Sequence, residues 1–184
     1  GNSVFTSKTH ERCTERTVEA LKKIEAKLKK RFDVVVMIQG DEPMIKPYMI
    51  SKALLPFKKN KDLKVVNLMT KIKSASEFHD LNEPKVVINK YSEAIYFSRC
   101  PIPYDRLQIN SKIYKQVCVI PFQRNFLLKF NRMKASLLEK TESIDMNRII
   151  ENSEKVKMVE IKEYVKSVDT QKDLEDVEKL IINR

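Results

Sequence analysis

An α/β fold in one domain is predicted by three observations. The 184 residues amount to about one domain's worth at roughly 100–200 residues per domain. A continuous apolar run, Asp33 to Gln39, is rich in β-branched residues and bounded by Asp and Gly, which is how a strand buried on both faces of a parallel sheet reads. Strand patterns then alternate with amphipathic helical patterns along the chain.

Taken in order, Ser3 to Thr6 reads as the tail of a short strand, and Ser7 to Cys13 as a polar loop. A helix follows up to Arg31, because Val18, Leu21, Ile24 and Leu28 recur on one face while Glu and Lys fill the other. The strand at Asp33–Gln39 ends in Gln39-Gly40-Asp41-Glu42-Pro43. In open α/β sheets ligands sit beyond the carboxyl ends of strands, so these polar residues are placed for chemistry. A short helix through Met49, Ile50, Ala53 and Leu54 ends near Pro56, and a strand at 63–70 completes a βαβ crossover. Strands at 85–89 and 94–98 flank a turn at Lys90-Tyr91-Ser92 and form a hairpin. Pro101 and Pro103 break regular structure. A strand at 114–122, helices at 123–133 and 138–152, and a strand at 155–161 follow. The closing helix begins after Asp169: Thr170 caps it, Asp173 suits the first turn, and Leu174, Val177, Leu180 and Ile181 form its apolar stripe.

Composition removes several function classes. Apolar residues are 42% and charged residues 33% of the chain, so it is not a polar disordered tail, and no window approaches the ~18 apolar residues of a membrane span. Only two glycines are present, which excludes a glycine-rich phosphate loop within this chain. No secretory pattern is seen near Gly1, and a cytoplasmic location is expected. The net charge of +11 is spread over lysines that mostly have acidic neighbours. No aromatic residues interleave with them and no finger spacing occurs, so no nucleic-acid partner is expected. Attraction of a polyanion as small as a nucleoside triphosphate is the alternative meaning of that charge. Cys13, Cys100 and Cys118 are odd in number and unpaired in spacing, which points to reduced, partly buried thiols. His10 and His79 form no zinc or haem pattern.

Two aspartates stand out by position: Asp41 past the most buried strand, and Asp169 at the start of the last helix. A carboxylate pair brought together from such ends suits Mg²⁺ over phosphates, because that ion takes hard oxygen ligands and retains water. By spacing alone, the plainer reading is that each merely caps a turn or a helix.

The string Val-Val-Met-Ile-Gln39-Gly40-Asp41-Glu42-Pro43 resembles the signature of the cytidylyltransferases that activate acidic sugars, most closely the 3-deoxy-manno-octulosonate (Kdo) cytidylyltransferases, or CMP-Kdo synthetases. Other segments agree in the same order. Thr6 to Arg16, with His10 and Thr14-Glu15-Arg16, resembles that family's DHxSGTER loop. Lys85-Val-Val, then Glu93 to Arg99, then Pro101 to Arg106, resembles its VKVV…YALYFSR…IPxxR block. Leu138-Glu139, Glu142 and Arg148 resemble its LExIExLEQLR helix, and Val168-Asp169-Thr170 with Asp173-Leu174 its VDTxEDL segment.

The resemblance implies a nucleotide-diphospho-sugar transferase fold, a mixed sheet with helices on both faces and a small antiparallel extension used for dimerisation, hence a homodimer. It implies CTP and a sugar acid as substrates, Mg²⁺ as cofactor, and a CMP-sugar for lipopolysaccharide or capsule-like assembly as product. By the same resemblance Asp41 and Asp169 ligate Mg²⁺ and are catalytic. His10, Arg16 and Gln39 bind nucleotide, with Arg16 and Gln39 at its boundary with the sugar, and Gln39, Arg99 and Glu142 line the sugar-acid pocket. The family's opening PAR…STRLPGKPL has no counterpart here, so the single domain, 1–184, is expected to be N-terminally incomplete. The SGTER glycine is Cys13, the HLGIYGYR strand reads Gln116 to Gln123, and the LEQLR glutamine is Met146 after Asp145. Two readings stay open: an enzyme acting on Kdo or a related sugar acid, or an inactive or truncated member serving as a nucleotide-binding or protein-interaction module.

Overall fold

The computed structural model describes residues 1–107 and 112–182. Its elements are α1 (Cys13–Leu28), β1 (Val34–Ile38), α2 (Pro47–Lys59), β2 (Val66–Lys71), α3 (Ala75–His79), β3 (Lys85–Ile88), β4 (Ala94–Ser98), β5 (Tyr114–Val117), β6 (Val119–Gln123), α4 (Arg124–Phe130), α5 (Leu137–Glu142), α6 (Met146–Glu151), β7 (Lys157–Ile161) and α7 (Gln171–Ile182). A five-stranded mixed sheet has the order β4-β3-β5-β2-β7, and β1 pairs with β6 in a two-stranded sheet. The two sheets abut at Phe122, which bridges Val35 on one side and Val65 on the other.

Alternation along the strands sends side chains to two apolar clusters, as period-two geometry requires. Met37, Met69 and Ile120 face α1, α4 and α6 in one cluster, while Val36, Leu68 and Val119 face α2 and α7 in the other. Helices therefore cover both faces, as expected. The β3–β4 hairpin extends one edge of the five-stranded sheet as an antiparallel pair.

The local expectations need several corrections. Residues 3–6 form no strand; the segment is tied to α1 by side chains, with Lys23 Nζ donating to Phe5 O at 2.9 Å and Arg16 Nη1 to Thr6 Oγ1 at 2.6 Å. The run 34–38 is not a parallel strand buried on both faces. It pairs antiparallel with β6, only Met37 is buried, and Ile38 is 42% exposed. The β1–α2–β2 crossover consequently spans β6 instead of joining adjacent strands. Helix α2 continues through Pro56 to Lys59, because a proline in the last turn sacrifices little of the ladder, and its carbonyl accepts the Asn60 N–H at 3.0 Å. The strand expected at 114–122 is split at Cys118, and the helix expected at 138–152 is split at Ser143, whose φ is 54°. Cys13 and Cys100 are exposed, and only Cys118 is partly covered.

Candidate active site

The carboxyl end of β1 is locked to the break between β5 and β6. Gln39 N–H donates to Cys118 O at 3.2 Å, and Cys118 N–H donates to Glu42 Oε1 at 2.6 Å. Burial raises the Glu42 carboxyl to about 7, against the pull of that N–H. Between these two contacts the chain turns through Gly40 and presents Asp41.

The loop after β7 returns to the same place. Val168 N–H donates to Asp41 O at 2.9 Å, which sets Asp169 beside Asp41. Burial and the Asp41 charge raise the Asp169 carboxyl, while the Ser167 hydroxyl and the Arg99 charge oppose the rise. Asp169 is the residue before a capping box: Asp173 N–H donates to Thr170 Oγ1 at 3.2 Å, and Thr170 N–H donates to Asp173 Oδ2 at 2.9 Å. The structure thus joins the two aspartates that are 128 positions apart in sequence (169 − 41).

Asp41 Oδ1 is buried and has no hydrogen-bond partner among the described residues. A buried, unpaired carboxylate oxygen beside a second carboxylate is costly unless a cation completes it. The pair therefore fits a hard cation. Among the described residues no three His, Cys, Asp or Glu groups converge on a metal position. A hard cation such as Mg²⁺ needs only one or two carboxylates and leaves its other positions to water and phosphate.

Arg99 lies just past β4. Its Nε donates to Glu142 O at 2.8 Å, its Nη1 to Leu81 O at 2.8 Å, and its backbone N–H to Glu142 Oε2 at 2.9 Å. Glu142 Oε1 accepts from Tyr96 OH at 2.9 Å and Ser98 Oγ at 2.7 Å. Burial resists ionisation of Glu142, but these donors prevail and hold its carboxyl below the ordinary value. Glu142 is accordingly a brace for Arg99, with both oxygens occupied.

The remaining candidates cluster on the α1 side. Arg16 is exposed and donates to Thr6 Oγ1 at 2.6 Å and Ser7 O at 3.1 Å. His10 Nε2 contacts Glu19 Oε2, and its Nδ1 lies 3.8 Å from Glu15 Oε2, so it fastens the loop to α1. Asp145, half-buried, takes the Thr14 hydroxyl at 3.4 Å, and burial raises its carboxyl. Partial desolvation of the thiol, with the Asp145 and Asp41 charges, raises Cys13 although the residue as a whole is exposed. Spacing did not single out Asp145 or the bracing role of Glu142, because both depend on contacts across 43 or more positions of sequence or on a helix break.

Two clefts, of about 540 and 1060 Å³, lie elsewhere, one lined by Arg31–Val34 and Gln123–Asn125, the other by α2 and the Ser153–Lys157 segment. None of the candidate residues lines either. The chemistry of the carboxylates, not cavity size, marks the site.

A family model described as cytidylyltransferase matches residues 1–158. A 3-deoxy-manno-octulosonate cytidylyltransferase of Fusobacterium nucleatum is 38% identical, the match covering 96% of this chain and 70% of that protein. The chain belongs to the 3-deoxy-manno-octulosonate cytidylyltransferase family. The family's enzyme from Geobacter metallireducens is 36% identical over 96% of this chain and 72% of its own. A solved CMP:2-keto-3-deoxy-manno-octonic acid synthetase complexed with CTP superimposes with a TM-score of 0.88 at 32% identity, covering 100% of this chain and 73% of that one. The fold is therefore that of the nucleotide-diphospho-sugar transferases. A 4-diphosphocytidyl-2C-methyl-D-erythritol synthase from Anaerococcus prevotii, 19% identical with a TM-score of 0.58, shares the fold alone. Among the described residues, no helix is long and apolar enough to cross a membrane.

Proposed function

We propose that this chain makes the CMP ester of 3-deoxy-manno-octulosonate from CTP. The anomeric hydroxyl oxygen attacks the α-phosphorus in line, and the bond from that phosphorus to the bridging oxygen breaks. Pyrophosphate leaves with the electron pair, and the hydroxyl proton is lost. The carrying observation is the Asp41–Asp169 pair with its unpartnered Asp41 oxygen, set in a chain of this family. Mg²⁺, held by Asp41 and Asp169, would supply positive charge against the triphosphate.

The chain's own groups position the reactants, which is most of what such a transfer requires. Arg99 is half-buried and charged, and its fork suits the sugar-acid carboxylate. Glu142 acts through Arg99. Gln39, two residues before Asp41, lies at the boundary of nucleotide and sugar in this reading, with Arg16 and His10 on the nucleotide side. The reading also takes the protein to be a cytoplasmic homodimer that pairs through the β3–β4 extension and supplies an activated sugar for lipopolysaccharide or a related glycan.

The test is product formation from CTP, Mg²⁺ and a panel of sugar acids that includes 3-deoxy-manno-octulosonate. CMP-sugar formation with that acid, and not with UTP or ATP in place of CTP, is expected. A folded chain that yields no CMP-sugar with any acid would refute the reading.

A further inference from the structure

Four strands of the larger sheet carry a polar side chain at one level. Register sets Ser98 of β4 opposite Lys85 of β3, Lys85 opposite Lys115 of β5, and Lys115 opposite Thr70 of β2. All four are buried, Lys85 completely. Buried polar groups need partners, and each of these finds one on a segment outside the sheet. Ser98 Oγ donates to Glu142 Oε1 at 2.7 Å, and Lys85 Nζ to Asp80 O at 2.7 Å. Lys115 Nζ donates to Glu83 Oε1 at 2.8 Å and makes an ion contact, without hydrogen-bond alignment, to Glu77 Oε1 at 2.7 Å. Thr70 Oγ1 donates to Glu163 O at 2.9 Å.

Those segments surround the candidate site. Glu142 and Leu81 are the two braces of the Arg99 guanidinium. The consecutive carbonyls of Asp80 and Leu81 thus receive one cation each, Lys85 and Arg99. The segment reached by Thr70 runs on to Val168, which binds Asp41 O, and to Asp169. Lys115 also stands 5.4 Å over the ring of Tyr164 in that segment.

Stability alone does not call for such a row. Ion pairs in a core are often no better than apolar residues of the same size, and burial lowers the Lys85 ammonium from its ordinary value against the pull of Asp80 and Glu83. We propose that Lys85 is a positioning residue: by fixing the Asp80 carbonyl it holds the adjoining Leu81 carbonyl against Arg99 and so aims the guanidinium at the substrate carboxylate. The identity of that carboxylate rests on the proposed function. The restraint on Arg99 does not.

The experiment compares the wild-type chain with Lys85→Met, reading ¹⁵N relaxation at the Nε–Hε group of Arg99. Arg148, whose Nε donates to Glu139 Oε2 at 2.6 Å, is the internal control. Arg99 is expected to gain fast motion in the variant while Arg148 keeps its wild-type value. An unchanged Arg99 overturns the proposal, as does equal loosening of both arginines, which would mean a general structural role. Should Lys85→Met fail to fold, Lys85→Gln, whose shorter side chain keeps a polar end but falls short of the Asp80 carbonyl, is read in the same way. In turnover, the variant is expected to raise KM for the sugar acid about tenfold with KM for CTP unchanged. A loss confined to kcat overturns the substrate-aiming half. A wild-type chain without turnover counts against the proposed function, and the Arg99 relaxation still decides the positioning role.

Discussion

At Asp41 the same residue that suits function opposes stability. Its Oδ1 is buried without a partner, and its charge raises the Asp169 carboxyl nearby. Asp41→Asn removes that repulsion at nearly constant volume, so the variant should melt at or above the wild-type temperature in the absence of Mg²⁺, a common relation between active-site charge and stability. Thermal denaturation checks this; a clearly lowered Tm would mean that Asp41 is a structural residue. Position past an apolar strand and before a helix already marked Asp41 and Asp169 in the sequence. Lys85 and Lys115 were not legible, because a lysine at a strand end reads as solvated surface, and only the strand register shows that the two stand opposite each other inside the sheet.

Between elements, ion pairs do what the apolar stripes leave undone. Glu139 of α5 is wholly buried against Arg148 of α6, whose Nη1 also donates to Met133 O at 3.0 Å and whose guanidinium stacks 4.5 Å from the Phe130 ring centre. Glu139→Ala leaves that guanidinium buried without its anion and should destabilise the fold by about 3 kcal/mol, measured by denaturant unfolding. A cost below about 1 kcal/mol would show that water reaches Arg148 freely. Arg124 at the start of α4 grips Glu25 of α1 with two bonds of 2.7 Å. These bonds lower the Glu25 carboxyl from 4.5 to about 2. Because the folded value lies below the unfolded one, the pair's contribution is full above about pH 4.5 and fades as pH falls through about 2. Glu25→Gln should therefore lower Tm near neutrality, and the gap to wild type should narrow as pH falls through that window. A gap that stays constant with pH would rule the ion pair out as its cause. The helices themselves were legible from their stripes. The breaks were not: Ser143 takes a left-handed φ without being glycine, and the split at Cys118 follows from Glu42 and Gln39 gripping the two backbone polar groups of that one residue. The short helix α3 has too few residues for a stripe, although Ser74 caps it by accepting the Glu77 N–H at 3.1 Å.

Over the whole molecule, the βα alternation and the order of motifs suffice for the fold class, since each strand's alternate residues must find cover on two faces. Pairing direction did not follow from β1 alone, because an apolar pentapeptide satisfies a parallel or an antiparallel neighbour equally well. The net charge of +11 resolves in part into local pairs, such as Lys64 and Lys129 on Glu154 and Lys155 on Glu93. The central claim is that Asp41 and Asp169, joined from two distant segments, form the carboxylate pair on which CTP-dependent transfer depends. Its most direct test is pyrophosphate release from CTP and 3-deoxy-manno-octulosonate at varied Mg²⁺, in wild type, Asp41→Asn and Asp169→Asn. Sugar-dependent release by wild type, lowered at least about 100-fold in each variant with the fold intact, is the predicted result. Release at wild-type rate from either variant would contradict it.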